Sequence, residues 1–354
     1  MEISEKYVEL FLEKFKNIIK DNWLQNMGHG LDDYIGKNIH DLAYVSTFLH
    51  RNEPIHINEL YYPIKLKLSN NKVVNIENID DIFSNNRFIV VKGIAGSGKS
   101  TLLRYLFFDS IKKGKYIPLM INLREIKISN LKKFIISKLV KLNLAQNRNI
   151  ADKILKKGDF VIFLDGYDEV KSKLDKNILL SINKFIKEYV DNNYIITTRP
   201  DEKIQSLDIF SVYSIADMND NDINKFIKKV LDSKVLINKI INTISKEKNE
   251  NIIGFLRNPL LLSLYILTYK TNSKIPVTSS EFYSRVVHTL FIEHDSISKL
   301  GFEREYKTKL SEKEFKDLLY IYSFITYFNN IYYFNKDEII ETLNIIKDKL
   351  NIAI

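Results

Sequence analysis

Between Phe88 and Arg199 the chain alternates two textures: short runs that are apolar at nearly every position, and longer stretches whose apolar residues recur every three or four positions. FIVVKG (Phe88–Gly93), YIPLMINL (Tyr116–Leu123), FVIFLDG (Phe160–Gly166) and YIITTR (Tyr194–Arg199) are rich in β-branched and aromatic residues and bounded by turn formers, the pattern of buried strands. FSVYSI (Phe210–Ile215) predicts a fifth strand, and Lys99–Lys113 and Ser172–Val190 predict helices between strands. Runs apolar on both faces and separated by helices predict an α/β architecture, a parallel sheet covered on both sides.

The flanks read as helical. Val8, Phe11, Leu12, Phe15, Ile18, Ile19 and Trp23 share one face of an amphipathic helix over Ile3–Trp23. Asn26–Asp41, with Gly28, Gly30 and Gly36, reads as a break before a helix near Leu42–Leu49. Beyond Asp217, helical spacing runs through Asp222–Leu231, Leu236–Lys246, Ile252–Arg257 and Leu260–Tyr269. After a loop at Thr271–Val277 it resumes over Glu281–Asp295 and Glu312–Phe328.

Composition narrows the chemistry. At 354 residues the chain has room for two or three domains. With no cysteine, thiol nucleophiles, disulfide frameworks, Cys-ligated zinc and iron–sulfur clusters are excluded. The longest mostly apolar stretches, Pro259–Tyr269 and Leu318–Phe328, fall short of the roughly 20 residues that span a bilayer. The opening MEISEKYVELFLEKF lacks a signal-peptide pattern, so a cytoplasmic home is expected. The net charge of +9 comes from lysines that look scattered along the chain. It reads first as a solvated basic surface and second as attraction for nucleic acid or another anionic partner.

One motif carries specific chemistry. The first strand runs into Gly93-Ile94-Ala95-Gly96-Ser97-Gly98-Lys99-Ser100-Thr101, which matches G-x-x-x-x-G-K-[ST] at every fixed position. Its glycines let backbone N–H groups face phosphate oxygens, Lys99 reaches the β/γ-phosphates, and Ser100 offers a hydroxyl to Mg²⁺. Asp165, closing another strand, is the expected Walker B carboxylate for the same metal. Asp168 and Glu169 follow within reach, and one of them can orient an attacking water. Arg199, with Thr197 and Thr198, arrives at the same sheet edge, where a guanidinium can contact the γ-phosphate.

With these residues in place the chain resembles the NACHT family of STAND signal-transduction ATPases. The resemblance rests on LDGYDE, where a small residue follows Asp165 and the acidic pair is displaced to Asp168 and Glu169. YIPLMINLREI (Tyr116–Ile126), TTRP (Thr197–Pro200) and NPLLLSL (Asn258–Leu264) add to it, so that it covers about Phe88 to Asp295. It implies an AAA+-like P-loop core binding ATP or ADP with Mg²⁺. In that core Gly93, Ala95, Gly96, Ser97, Gly98, Lys99, Ser100 and Thr101 hold phosphate, Ser100 and Asp165 hold the metal, and Asp168 with Glu169 supports hydrolysis. Arg199 senses the γ-phosphate and Pro259 packs near adenine, a residue that by itself reads only as a helix-start proline.

The implied organisation is an N-terminal helical region (1–55), a nucleotide-binding α/β domain (56–216), a helical domain (217–275) and a winged-helix-like domain (276–354). That last domain is expected to be incomplete, because His288 and His294 come too early to match the family's Phe-x-His histidine and the chain reaches Ile354 without one. The function implied is an ATP-driven switch in bacterial antiphage immunity, answering a phage-derived trigger by self-oligomerising or engaging an effector protein. A turnover ATPase acting on nucleic acid is the competing reading from the charge, and a scaffold that binds ATP without useful hydrolysis is a third.

Overall fold

The computed structural model describes residues 34, 42–50, 53–68, 72–84, 86–126, 130–170, 175–200, 209–247, 250–269, 273–276, 278–298, 312–329, 331 and 336–350. The helix expected over Ile3–Trp23 lies outside them. Two compact units divide the chain: Met1–Ile241 with Gly254–Ser263, and Asn242–Ile253 with Leu264–Ile354.

The first unit is built on a sheet of seven strands. In chain order they are β3 (Ile64–Leu68), β4 (Val73–Ile76), β5 (Phe88–Lys92), β6 (Ile117–Asn122), β7 (Phe160–Asp165), β8 (Asn193–Thr198) and β9 (Ser211–Ile215), side by side as β4-β3-β9-β5-β8-β7-β6. A separate two-stranded ribbon pairs β1 (Tyr44–Val45) with β2 (Ile55–His56). The five strands expected from sequence are all present and mutually parallel. They share one core with helices α1 (Lys99–Lys113), α2 (Leu131–Lys141), α3 (Arg148–Leu155) and α4 (Asp175–Glu188), and helix α5 (Asp220–Val230) follows β9. Every residue of β8 is buried, which is why its sequence shows no alternation.

Two expectations need correction. The sheet is mixed, because β3 pairs antiparallel with both β4 and β9. Ile64-Lys65-Leu66-Lys67-Leu68 alternates with period two, and Leu66 is buried while Lys67 is exposed, as in an antiparallel part of a sheet covered on one face. The helix expected near Leu42–Leu49 keeps only Leu42 and Ala43 helical and gives way to β1 and a turn. Thr47 Oγ1 accepts the N–H groups of Leu49 (3.2 Å) and His50 (3.1 Å), an alternative to helical bonding that a short hydroxyl side chain offers its own backbone.

The crossing order of the strands positions the site. The chain leaves β5, crosses to the far edge at β6, and returns through β7 to β8, which inserts between β5 and β7. The carboxyl ends of β5, β8 and β7 are therefore neighbours. Beneath the opposite ends lies Asn192, fully buried, whose Oδ1 accepts Phe160 N–H at 3.1 Å while Nδ2 donates to the carbonyls of Leu155 (2.7 Å) and Tyr189 (3.1 Å). It ties the start of β7 to the ends of α3 and α4.

Four further helices follow α5: α6 (Lys234–Ser245), α7 (Glu250–Leu256), α8 (Pro259–Tyr269) and α9 (Ser279–Ser298), and then α10 (Glu312–Phe328) and α11 (Lys336–Leu350). In the second unit α10 packs against α9 and α11, with Phe282, Val286, Leu318 and Ile346 buried. Its described residues form helices and turns and include no strand. None of the described helices is long and apolar enough to cross a membrane.

Candidate functional site

At the end of β5 the chain bends through Gly93–Gly98 and enters α1 at Lys99. Gly93 N–H donates to Thr198 O at 3.1 Å, pinning the root of the loop to β8. Gly96 and Gly98 have φ of +75° and +94°, backbone that side chains avoid. A Cβ on Gly96 would also stand 2.5 Å from Leu260 Cβ. Gly98 caps α1 without a side-chain bond to the helix, so the first-turn N–H groups stay open to an anion. Lys99 Nζ donates to the carbonyls of Gly93 (2.7 Å) and Ile94 (3.0 Å). Burial lowers its pKa, against the pull of Asp168.

The acidic wall comes from β7 and β8. Asp165 Oδ1 accepts the Thr197 hydroxyl at 2.5 Å, and Thr197 Oγ1 accepts Gly166 N–H at 2.9 Å. Thr197 thus orients the carboxylate and the turn after it, a role that its place in TTRP did not disclose. Gly166, at φ +75°, turns the chain into the short helical turn Tyr167–Glu169. Asp168 accepts Arg199 N–H at 3.1 Å and pairs with Arg199 Nε at 3.2 Å. The guanidinium expected to face a phosphate is here engaged by a carboxylate of its own chain. Burial raises the Glu169 pKa, while Arg124, 3.9 Å from Glu169 Oε2, works the other way.

These groups share one cavity of about 700 Å³. Ala95 through Thr101, Asp165, Asp168, Glu169, Arg199 and Pro259 all line it. Gly93 lies at the root of the loop outside the lining. The loop's crest is held by the segment that opens α8: Asn258 Nδ2 donates to Ala95 O at 3.0 Å and Leu260 N–H to Gly96 O at 3.3 Å. Asn258 Oδ1 meanwhile accepts Leu260 N–H at 3.0 Å, capping that helix. Another part of the cavity wall is made by Tyr62, Ile64, Met218 and Phe226, with Ile64 against Gly98. There Asp222, nearly fully buried, accepts from Lys65 Nζ at 2.7 Å and Tyr62 Oη at 2.8 Å. Burial works to raise the Asp222 pKa, but Lys65, Asn219 N–H and Tyr62 together hold it below the usual range. Sequence reasoning missed this part of the wall because its residues come from β3, α5 and the residues just before each, which share no motif. The one local signal is the Asn219–Asp222 capping box.

The cavity fits a nucleoside triphosphate with a divalent cation. Ser97 Oγ and Thr198 Oγ1 are buried without a hydrogen-bond partner, orphaned groups at the crest and root of the glycine loop. No group of three or more His, Asp or Glu among the described residues could hold a metal unaided. Mg²⁺ takes one or two protein oxygens and completes its shell with water and phosphate, which Ser100 and Asp165 can supply.

Residues 87–234 match the family model described as the NACHT domain. No curated protein matches the chain. Among solved structures it is similar to domain III of the Thermotoga maritima replication initiation protein DnaA, at 11% identity over 58% of this chain and 83% of that one, with a TM-score of 0.32. C. elegans PCH-2 aligns at 13% identity over 61% and 64% (TM-score 0.30). Drosophila ORC bound to DNA aligns at 9% over 75% and 69% (TM-score 0.33).

Proposed function

We propose that this chain, whose residues 87–234 form a NACHT domain, switches shape through the contact between its glycine loop and the start of α8. The domain makes it a P-loop ATPase, and nucleotide-controlled conformational change is the function of such a domain. The observation that carries our reading is the pair of bonds from Asn258 and Leu260 to the loop carbonyls of Ala95 and Gly96. A loop that re-forms around phosphate changes those bonds, and Asn258–Pro259 passes the change along α8. Nucleotide moves such an equilibrium only by binding the two shapes unequally.

In this reading the backbone N–H groups of the Gly93–Thr101 loop and the Lys99 ammonium hold the phosphates, and Ser100 and Asp165 hold Mg²⁺. When bound, the cation withdraws charge from the phosphate oxygens. Thr197 keeps the Asp165 carboxylate aimed. Glu169, whose raised pKa suits proton transfer, accepts the proton of the attacking water, with Asp168 beside it. Arg199 exchanges Asp168 for the terminal phosphate and so reports its presence. Pro259, with Tyr62, Met218 and Phe226, encloses the base, which the family resemblance makes adenine.

The division into 1–55, 56–216, 217–275 and a winged-helix-like 276–354 stays part of the proposal, as do self-oligomerisation, a cytoplasmic setting and antiphage immunity with a phage-derived trigger. The resemblance supports all of these. The test is to denature freshly purified protein and count its nucleotide by chromatography. Near-stoichiometric ADP, absent from Lys99→Ala, is expected. An empty site with fast, unregulated turnover would overturn the switch.

A further inference from the structure

The positive charge of this protein is not spread evenly. Residues 130–157 hold eight lysine and arginine residues and a single acid, Asp152, and so account for seven of the nine net positive charges. The expectation that the lysines are scattered is thereby corrected: one stretch of 28 residues is dense in them, and the two helices it forms, α2 and α3, pack together. Between them lies a groove of about 570 Å³ lined by Lys132, Lys133, Arg148, Asp152, Lys153 and Lys156, with Asn130, Asn149 and Ile136.

The one acid in the groove is already engaged. Asp152 accepts the Tyr189 hydroxyl at 2.6 Å and pairs with Lys156 at 2.7 Å and Lys132 at 3.3 Å, while Glu188 from α4 pairs with Lys132. Lys133, Arg148 and Lys153 are exposed and enter no ion pair among the described residues. Three like charges facing one concavity repel each other, and a bound polyanion relieves that repulsion. The lining also says which kind. A protein partner's interface core is rich in aromatic and apolar anchors and poor in lysine, whereas this groove's one apolar side chain, Ile136, is buried. An anionic membrane favours basic residues beside an apolar face that inserts, which the groove lacks. Lysine, arginine and asparagine side chains are the groups that contact nucleic-acid phosphates.

We propose that the α2–α3 groove binds the phosphate backbone of a nucleic acid. With no exposed aromatic ring in the lining on which bases could stack, the contacts go to the backbone and sequence is not read. The proposal goes beyond the switch and does not depend on it.

The test uses the full chain and fluorescence anisotropy with a labelled poly-dT strand and a mixed-sequence DNA duplex over a salt series. Polyglutamate and phosphatidylserine vesicles are the competing probes. Binding to either oligonucleotide is expected, with affinity falling steeply as salt rises. The triple variant Lys133→Glu/Arg148→Glu/Lys153→Glu should weaken it at least ~10-fold and flatten the log–log salt slope by about three. Lys67→Glu/Lys225→Glu/Lys228→Glu, an equal change of net charge on exposed residues elsewhere, should have a much smaller effect. Lys153→Gln alone, the gentler substitution, should flatten the slope by about one. Unchanged binding in the groove variants, equal loss in the control triple, or binding to polyglutamate or vesicles but to neither oligonucleotide would each overturn the proposal. The nucleotide content of each variant tests the ATP site separately.

Discussion

The cavity above the glycine loop and the groove between α2 and α3 both collect positive charge, yet they are built on opposite principles. In the cavity the lysine at the phosphate loop, Lys99, is fixed by two backbone carbonyls and desolvated. Around it the donors are backbone N–H groups held by left-handed glycines. Preorganised donors in a buried site read the shape of one small anion. In the groove the cations stand on long, solvated stems, and such groups attract any polyanion with a strength that salt controls. Charge placed on rigid backbone gives selectivity, and charge placed on mobile side chains gives general attraction.

The largest effect expected on this contrast comes from Lys99→Ala, which should lower nucleotide affinity by ~100-fold or more through loss of a desolvated charge-assisted contact; isothermal titration with ADP checks it. The groove triple variant should leave that titration unchanged, and a parallel loss would show that the two sites are one. Next comes Asn192→Ala. It removes the buried hub that ties α3 and α4 to β7, at an expected cost of ~2–3 kcal/mol in urea unfolding. A drop in oligonucleotide affinity should accompany it as α3 loosens.

Asn258→Ala should weaken nucleotide binding about 10-fold, the equivalent of a ~1.4 kcal/mol contact. It leaves Lys99 in place, so retained affinity would argue against coupling through α8. The smallest effect concerns pH. Burial holds the Glu169 pKa above its usual value, so the carboxylate that accepts a proton is lost at a higher pH than for an ordinary glutamate. Hydrolysis should therefore fall on acidification from a correspondingly higher pH. Arg124→Ala, removing the opposing charge, should move this limb further up by a fraction of a pH unit; a limb that moves down would exclude Glu169 as the base. For stability the sign is the same: the ionised form is disfavoured in the folded state, so Glu169 costs stability as pH rises above the ordinary glutamate range.

How far the site was legible depended on where its parts lie in the chain. The glycine loop, Asp165 and the pair Asp168–Glu169 were readable because each role is set by spacing within a few residues of a strand end. Arg199 was placed at the right edge, but its engagement by Asp168 across 31 positions was not. The antiparallel β3–β4 hairpin left a period-two signal in IKLKL that a search for fully apolar runs passes over.

By itself, then, the sequence determined the five parallel strands, the helix α1 and the chemistry of the phosphate loop, since local backbone preference and side-chain period act over a few residues. Only the tertiary structure decided which of those pieces meet. The insertion of β8 between β5 and β7 brings Thr197 to Asp165. Asn258, more than 150 positions away, closes on the glycine loop. These contacts depend on the order in which strands cross and helices pack, which no local pattern of hydrophobic and polar residues encodes.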